Sequence, residues 1–284
     1  MTTTRLRSRL AGAAVVIATG AIAMATLTGP ASAAVPGLQR VSVDSVSDSS
    51  SFKQVTASCP AGKQVVGAEY SIAGGVGSIV IDDLVPSATG VRAGAREDAN
   101  GTGSNWTVRA TAMCANPLPG YEIVRASSSS NSLNKSATAF CPSGKQAVGS
   151  GAFISGGLGE VVLNQLVPTG NRGGATAREG DNGGTANNWT VTALAICANP
   201  LPGQQYITAT SPTNSAAKLQ DAVCPAGTQV LSSGYSIIGG EGDVSVTGSF
   251  TSLFDRTASA VALEDDNGTL LDWTLQTRPV CANP

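Results

Sequence analysis

Apolar side chains recur at every second position from Trp106 through Val108, Ala110 and Ala112 to Cys114. A strand sends successive side chains to opposite faces, so these five share one face and the residues between them share the other. The same face is rewritten as Trp189, Val191, Ala193, Ala195 and Cys197, and again between Trp273 and Cys281. All three stretches end Cys-Ala-Asn-Pro. The pattern predicts a core strand whose far end is held by a cysteine, present three times. Residues 65–72 and 79–85 are short apolar runs bounded by Gly and Pro, too brief for helices. Asn100-Gly101, Asn182-Gly183 and Asn267-Gly268 stand where a hairpin must reverse, and Asn-Gly tolerates the positive φ of such turns.

Self-similarity then divides the chain. Cys59-Pro60-Ala61-Gly62-Lys63-Gln64 returns as residues 141–146 and 224–229. A Gly-Gly-x-Gly corner follows each, at residues 74–77, 156–159 and 239–242. The modules expected are residues 38–120, 121–203 and 204–284. With about six short strands in each, the fold expected is all-β: three tandem ~82-residue, disulfide-stapled modules of sandwich or barrel type. The alternative is one pseudo-threefold β body. Paired prolines in the joints Pro117-Leu118-Pro119-Gly120 and Pro200-Leu201-Pro202-Gly203 favour three beads in a semi-rigid row.

Residues 1–33 read as an export signal. Arg5, Arg7 and Arg9 form its basic start, residues 11–27 are small and apolar, and Ala31-Ser32-Ala33 suits cleavage before Ala34. The processed protein is expected to be secreted and extracellular, without a membrane span. The whole chain has 17 basic and 19 acidic residues; removing three arginines leaves 14 against 19, a net charge of −5. No basic run is present, which excludes nucleic acid as a partner.

Six cysteines in an exported chain read as three disulfides. The leading pairing is within modules: Cys59–Cys114, Cys141–Cys197 and Cys224–Cys281. The rival links Cys114 to Cys141 and Cys197 to Cys224, with Cys59 closing a ring to Cys281. A within-module bridge closes a loop of over 50 residues and adds on the order of 4 kcal/mol. Cys-x-x-Cys is absent, and so are zinc-ligand spacings.

The chain contains no histidine. That removes Ser-His-Asp and Cys-His catalysis and His-based metal hydrolysis. The carboxylates beside the Asn-Gly loops, among them Glu97, Glu179 and Glu264, are sequence neighbours of further acids in every module rather than a pair across one cleft. No enzyme activity and no cofactor are expected. Asp181-Asn182-Gly183 and Asp266-Asn267-Gly268 offer oxygen ligands, yet their spacing is not that of a calcium loop, and a plain polar hairpin tip is the better reading.

Trp106, Trp189 and Trp273 admit two readings. As exposed rings, with Glu97, Glu179 and Glu264 nearby, they would contact a sugar. Aligned with Val, Ala and Cys on one face, they belong to a core beside the disulfide, which is the favoured reading. Tyr70, Phe153 and Tyr235 are expected to occupy equivalent places in that core. The Asn-x-Thr acceptor patterns, such as Asn105-Trp106-Thr107, are coincidental in a bacterial-looking exported chain.

The run Cys-Pro-x-Gly-Lys/Thr-Gln, Gly-Gly-x-Gly, Trp-Thr and Cys-Ala-Asn-Pro resembles small β modules of secreted proteins from Streptomyces and related actinobacteria, across residues 38–284. The resemblance implies export and a β fold and transfers no catalytic or binding residue. Module three departs from it at Thr228, at Thr251 where Pro86 and Pro168 stand, and at Pro279, which must bend or edge its strand. Two function classes are expected: a multivalent binding protein for a glycan or cell-wall polymer, or a scaffold that contacts another secreted protein.

Overall fold

The first repeat contributes β1 (Gln39–Asp44), β2 (Phe52–Ser58), β3 (Gln64–Gly74), β4 (Ile79–Pro86), β5 (Gly90–Glu97) and β6 (Trp106–Ala115). The second contributes β7 (Glu122–Ser127), β8 (Lys135–Phe140), β9 (Gln146–Ser155), β10 (Val161–Thr169), β11 (Arg172–Glu179) and β12 (Thr190–Ala198). In the third, β15 (Lys218–Val223), β18 (Val244–Ser252) and β19 (Thr257–Glu264) are whole, and the other three strand positions are split. These are β13 (Gln205–Tyr206) with β14 (Ala209–Thr210), β16 (Gln229–Ser232) with β17 (Tyr235–Ile238), and β20 (Thr274–Thr277) with β21 (Val280–Ala282). The computed structural model describes residues 35–180, 184–240, 242–254 and 256–284. The expected export signal, its cleavage point and the Asp181-Asn182-Gly183 tip lie outside the described residues.

Pro279 causes the split. It has no N–H for the ladder, and β20 and β21 stop on either side of Arg278-Pro279. Arg278 and Gly234 instead exchange backbone hydrogen bonds at 2.8 and 3.0 Å.

The protein is all-β among its described residues; a small sheet, β13-β21-β16, stays within repeat three, and the three six-stranded sheets cross the repeat boundaries. One sheet runs β1-β6-β3-β18-β19-β15, a second β2-β5-β4-β9-β12-β7, and a third β14-β20-β17-β10-β11-β8. Each joins a three-strand half from one repeat to a half from another: one with three, one with two, and two with three. The three repeats are therefore stapled as expected but arranged as one closed pseudo-threefold body, the alternative to a row of beads. The paired-proline joints are corners of that body rather than spacers. Leu118 and Leu201 are buried in the core, as is Val35 at the start of the first repeat. Each joint's glycine is covered by the Asn of Cys-Ala-Asn-Pro: a Cβ on Gly120 would lie 2.1 Å from Asn199 Oδ1.

Two residue pairs make each seam: Asp83 with Phe153 and Leu84 with Ala152, Gln165 with Ser236 and Leu166 with Tyr235, Gly248 with Ser71 and Ser249 with Tyr70. This register corrects one expected equivalence. Ala152, not Phe153, matches Tyr70 and Tyr235. Phe153 lies one residue on, and a one-residue step along a strand reverses the face. Tyr70 and Tyr235 meet edge to face with ring centroids 6.3 Å apart. Their hydroxyls bond each other at 3.2 Å, and that of Tyr70 also donates to the Val246 carbonyl at 2.8 Å.

The seams also explain why Thr251 replaces proline. At two of them a proline ring presses on a glycine: a Cβ on Gly151 would lie 2.2 Å from Pro86 Cδ, and one on Gly234 would lie 2.6 Å from Pro168 Cδ. At the third seam Glu69 stands where those glycines stand, and Thr251 supplies what proline cannot, an N–H donated to Glu69 Oε2 at 3.1 Å. Glu69 is fully buried, with Arg40 Nε 3.8 Å away.

Candidate functional site

The Trp-to-Cys spacing of eight residues spans about 26 Å of strand, and each end does a separate job. The bridges are Cys59–Cys114, Cys141–Cys197 and Cys224–Cys281, the within-module pairing. Each ties together parts of its own repeat that lie in different sheets; Cys59 follows β2 in one sheet and Cys114 lies on β6 in another, whereas Cys281 lies on β21 of the small sheet.

The Trp ends make a second fastening. Trp106, Trp189 and Trp273 are almost wholly buried. Their backbones pair with Asp48, Asn131 and Asn214 through isolated bridges. Lys53, Lys135 and Lys218 of the opposite half-sheet lie over the three rings, with Nζ 4.7, 3.8 and 3.4 Å from the centroids. The ammonium groups are held in place by the Asp48 carboxylate and by the carbonyls of Asn131 and Asn214. The indole N–H of Trp189 donates to Glu179 Oε1 at 2.9 Å, and that of Trp273 to Glu264 Oε1 at 2.9 Å. In the first repeat Trp106 Nε1 and Glu97 Oε1 are both buried without a partner. In repeats two and three the expected sugar contacts thus come together as a Lys–Trp–Glu clamp between sheets. In the first repeat only Lys53 and Trp106 do, and all three rings lie inside the core rather than open as platforms. The lysines escaped the sequence reading. Their signal was there, since each stands six residues before the first cysteine of its repeat.

The clamps carry a prediction. Trp→Phe removes similar ring volume at each site, so differences among the three report on the N–H. W273F and W189F strand a carboxylate oxygen and should each lose about 1–3 kcal/mol through that group. W106F strands no further acceptor and should cost less than either by that same amount, about 1–3 kcal/mol. Urea midpoints of the three variants measure this; equal losses would remove the hydrogen bond from the account.

The acidic loops close on themselves. Asp98 Oδ1 accepts from the backbone N–H groups of Asn100 and Gly101 at 3.0 and 3.1 Å. Asp265 Oδ1 accepts from those of Asn267 and Gly268 at 3.1 and 3.0 Å. Ser78 Oγ of the first repeat reaches Asp266 of the third at 3.0 Å. The last glycine of each Gly-Gly-x-Gly corner packs on the acidic hairpin of another repeat. A Cβ on Gly159 would lie 2.3 Å from the Glu97 carbonyl, one on Gly242 would lie 2.3 Å from that of Glu179, and one on Gly77 would strike Asp266. Between the corners is a cavity of about 20 Å³, lined by these glycines with Asp98, Glu160 and Asp265. That is room for one water molecule. Burial raises the Asp98 carboxyl above its usual range, with the charges of Asp266 and Glu97 adding to it and the loop N–H groups opposing. Among the described residues no cluster of three or more acidic, His or Cys side chains is placed to hold a metal ion.

The outward faces of the three sheets differ far more than their inner faces. Equivalent inner positions read Ala93, Ala175 and Ala260, then Ala95, Ala177 and Ala262, all buried. Equivalent outer positions read Arg92, Gly174 and Ser259, and Asp83, Gln165 and Gly248. On the sheet shared by repeats one and two, Arg92 pairs with Asp83 at 3.3 Å and Arg96 with Asp82 at 3.2 Å. On the sheet shared by one and three, Arg109 makes a two-pronged contact with Asp44 at 2.6 and 2.7 Å. The sheet shared by two and three carries instead an open groove of about 270 Å³. No family model and no curated protein matches the chain.

Proposed function

We propose that the chain is an exported, non-enzymatic binding protein whose ligand is a glycan or cell-wall polymer, contacted at several places on its sheets. The observation that supports this is a constant interior under varied faces. Alanine ladders, lysine-covered indoles and disulfides repeat three times inside, while the outward-facing residues change from sheet to sheet. Variable surfaces on a fixed frame are where recognition is placed. The three disulfides suit an oxidising compartment, and no helix among the described residues is long and apolar enough to cross a membrane. The absence of histidine and the use of Glu179 and Glu264 as indole acceptors support a binding role over catalysis.

A screen of residues 34–284 against a glycan array and purified cell-wall polymers tests the proposal. Saturable binding, displaced by free sugar, is the expected result. The scaffold reading draws on Phe254 and Leu270, both fully exposed in the third repeat. Co-purification with another secreted protein, lost when Phe254 and Leu270 are made polar, together with a blank array, would put the scaffold reading in its place.

A further inference from the structure

We propose that the outer groove of the sheet shared by repeats two and three binds an anionic sugar, a saccharide unit carrying a carboxylate or a phosphate, through Arg172 and Arg278. The inference rests on the glycan-binding reading and adds to it a location and a charge.

The groove holds about 270 Å³, near the lower end of the roughly 300–1,000 Å³ usual for small-molecule sites. It crosses the seam. Arg172 comes from the start of β11, and Arg278 from the break that Pro279 makes between β20 and β21. Its walls carry the hydroxyls of Thr138 and Thr169, which can both donate to and accept from sugar hydroxyls, and that of Thr176, whose proton goes to Gln165 and which is left to accept. Gln165 braces the floor, accepting from Thr176 Oγ1 at 2.9 Å and donating to Ser236 Oγ at 3.3 Å.

Among the described residues no carboxylate lines this groove. Arg278 is steadied by a neutral amide, with Nε and Nη2 donating to Gln276 Oε1 at 3.2 and 2.6 Å. Among the described residues no acidic side chain pairs with it. Arg172 is exposed at the other part of the lining. The pseudo-equivalent faces show how different this is. Where Gln165 stands here, the sheet of repeats one and two has Asp83, which sits on Arg92 and accepts from Gln54 at 3.1 Å. At the third seam Arg40 faces the buried Glu69. A guanidinium without a carboxylate among the described residues, in a hydroxyl-lined recess, is matched by an oxyanion that offers two oxygens to its fork and carries hydroxyls around it.

The test is calorimetric titration of residues 34–284 with oligogalacturonate, with its neutral methyl ester, and with oligomeric glycerol phosphate. At least one anionic probe should bind, and the ester about tenfold more weakly than the free acid if the uronate is the one bound. R172Q and R278Q should each weaken the bound anion about tenfold, the loss of one charge-assisted contact. R125Q, on the exposed strand β7 outside the groove, should leave binding unchanged and so separates the site from general charge attraction. Which of the two anionic probes binds decides between carboxylate and phosphate. Failure of both anionic probes, or equal binding by wild type, R172Q and R278Q, overturns the proposal. If neutral glycans bind and ignore both substitutions, glycan binding stands and this groove is not its site. If no glycan of any kind binds, both readings fall.

Discussion

Residues 121–203, cut out as a separate oxidised polypeptide, should not fold. The segment keeps its disulfide and its clamp, so a module stable by itself would survive the excision. What it loses is both seams. β9 loses β4 and β10 loses β17, which leaves two long strands with unpaired edges. It also loses the centre of the body. Val148, Leu163 and Leu166 are buried there, and each is worth about 1.5–3 kcal/mol when removed from water. The approach at that centre is close: a Cβ on Gly149 would lie 2.5 Å from the Val66 carbonyl of the first repeat, and Ser232 Oγ of the third donates to the Val148 carbonyl at 2.8 Å. A bridge worth on the order of 4 kcal/mol does not offset losses of that size in an ~80-residue piece. The amide NMR spectrum of the fragment should be poorly dispersed and its melt non-cooperative, whereas residues 34–284 should unfold in one transition. A dispersed spectrum with a cooperative melt would restore independent modules. It follows that avidity arguments comparing one repeat with three do not apply to this protein; any multivalency belongs to the faces of one compact body.

Replacing Glu69 by Gln should stabilise the protein at pH 8 and change it little at pH 4.5. Burial raises the Glu69 carboxyl from 4.5 to about 7, against the Thr251 N–H and the charge of Arg40, which both lower it. Arg40 is the charged group facing it, Thr111 is its partner in the ladder and Thr251 is its N–H donor. Between pH 4.5 and 7 the folded protein therefore holds a proton that the unfolded chain has released. Stability is full below 4.5, falls as pH rises through this window, and stays reduced above 7. The shift corresponds to about 3 kcal/mol, as an order of magnitude for a fully buried group. Gln keeps an acceptor for the Thr251 N–H and never ionises, so it removes the decline. Arg40 keeps its own bond to the Thr251 carbonyl at 2.9 Å and is partly open to solvent. Urea midpoints for wild type and E69Q at both pH values decide the matter. If E69Q is the less stable protein at pH 8, Glu69 is an ionised partner of Arg40 and the burial argument is wrong.

Much of the interior was legible in the chain. Alternation over residues 106–114 placed Trp, Val, Ala and Cys on one face, and the structure buries all of them. Three-fold repetition pointed to within-repeat bridges, and Pro279 marked a strand that had to break. These are local properties, because pleat, ring closure and a missing N–H act within a few residues of their cause. The indoles are buried, but the lysine over each ring was not legible, since it comes from another strand. The equivalence of Phe153 failed by one position, the smallest slip that a period of two turns into a change of face.

The pairing of repeats was decided only by the tertiary structure. Alternation says which face of a strand is buried, but not which strand lies beside it. Each seam rests on two residue pairs with no shared sequence signature, and one of them uses Glu69 with Thr251 where the other two use glycine with proline. The groove has the same origin. Arg172 and Arg278 are over a hundred residues apart in the chain, and they share a cavity because β10 pairs with β17 across the boundary between repeats. An arginine's chemistry is set by its residue type. Whether a carboxylate stands opposite it is set by the neighbouring strand, and that neighbour is chosen by how three repeats close around a common core.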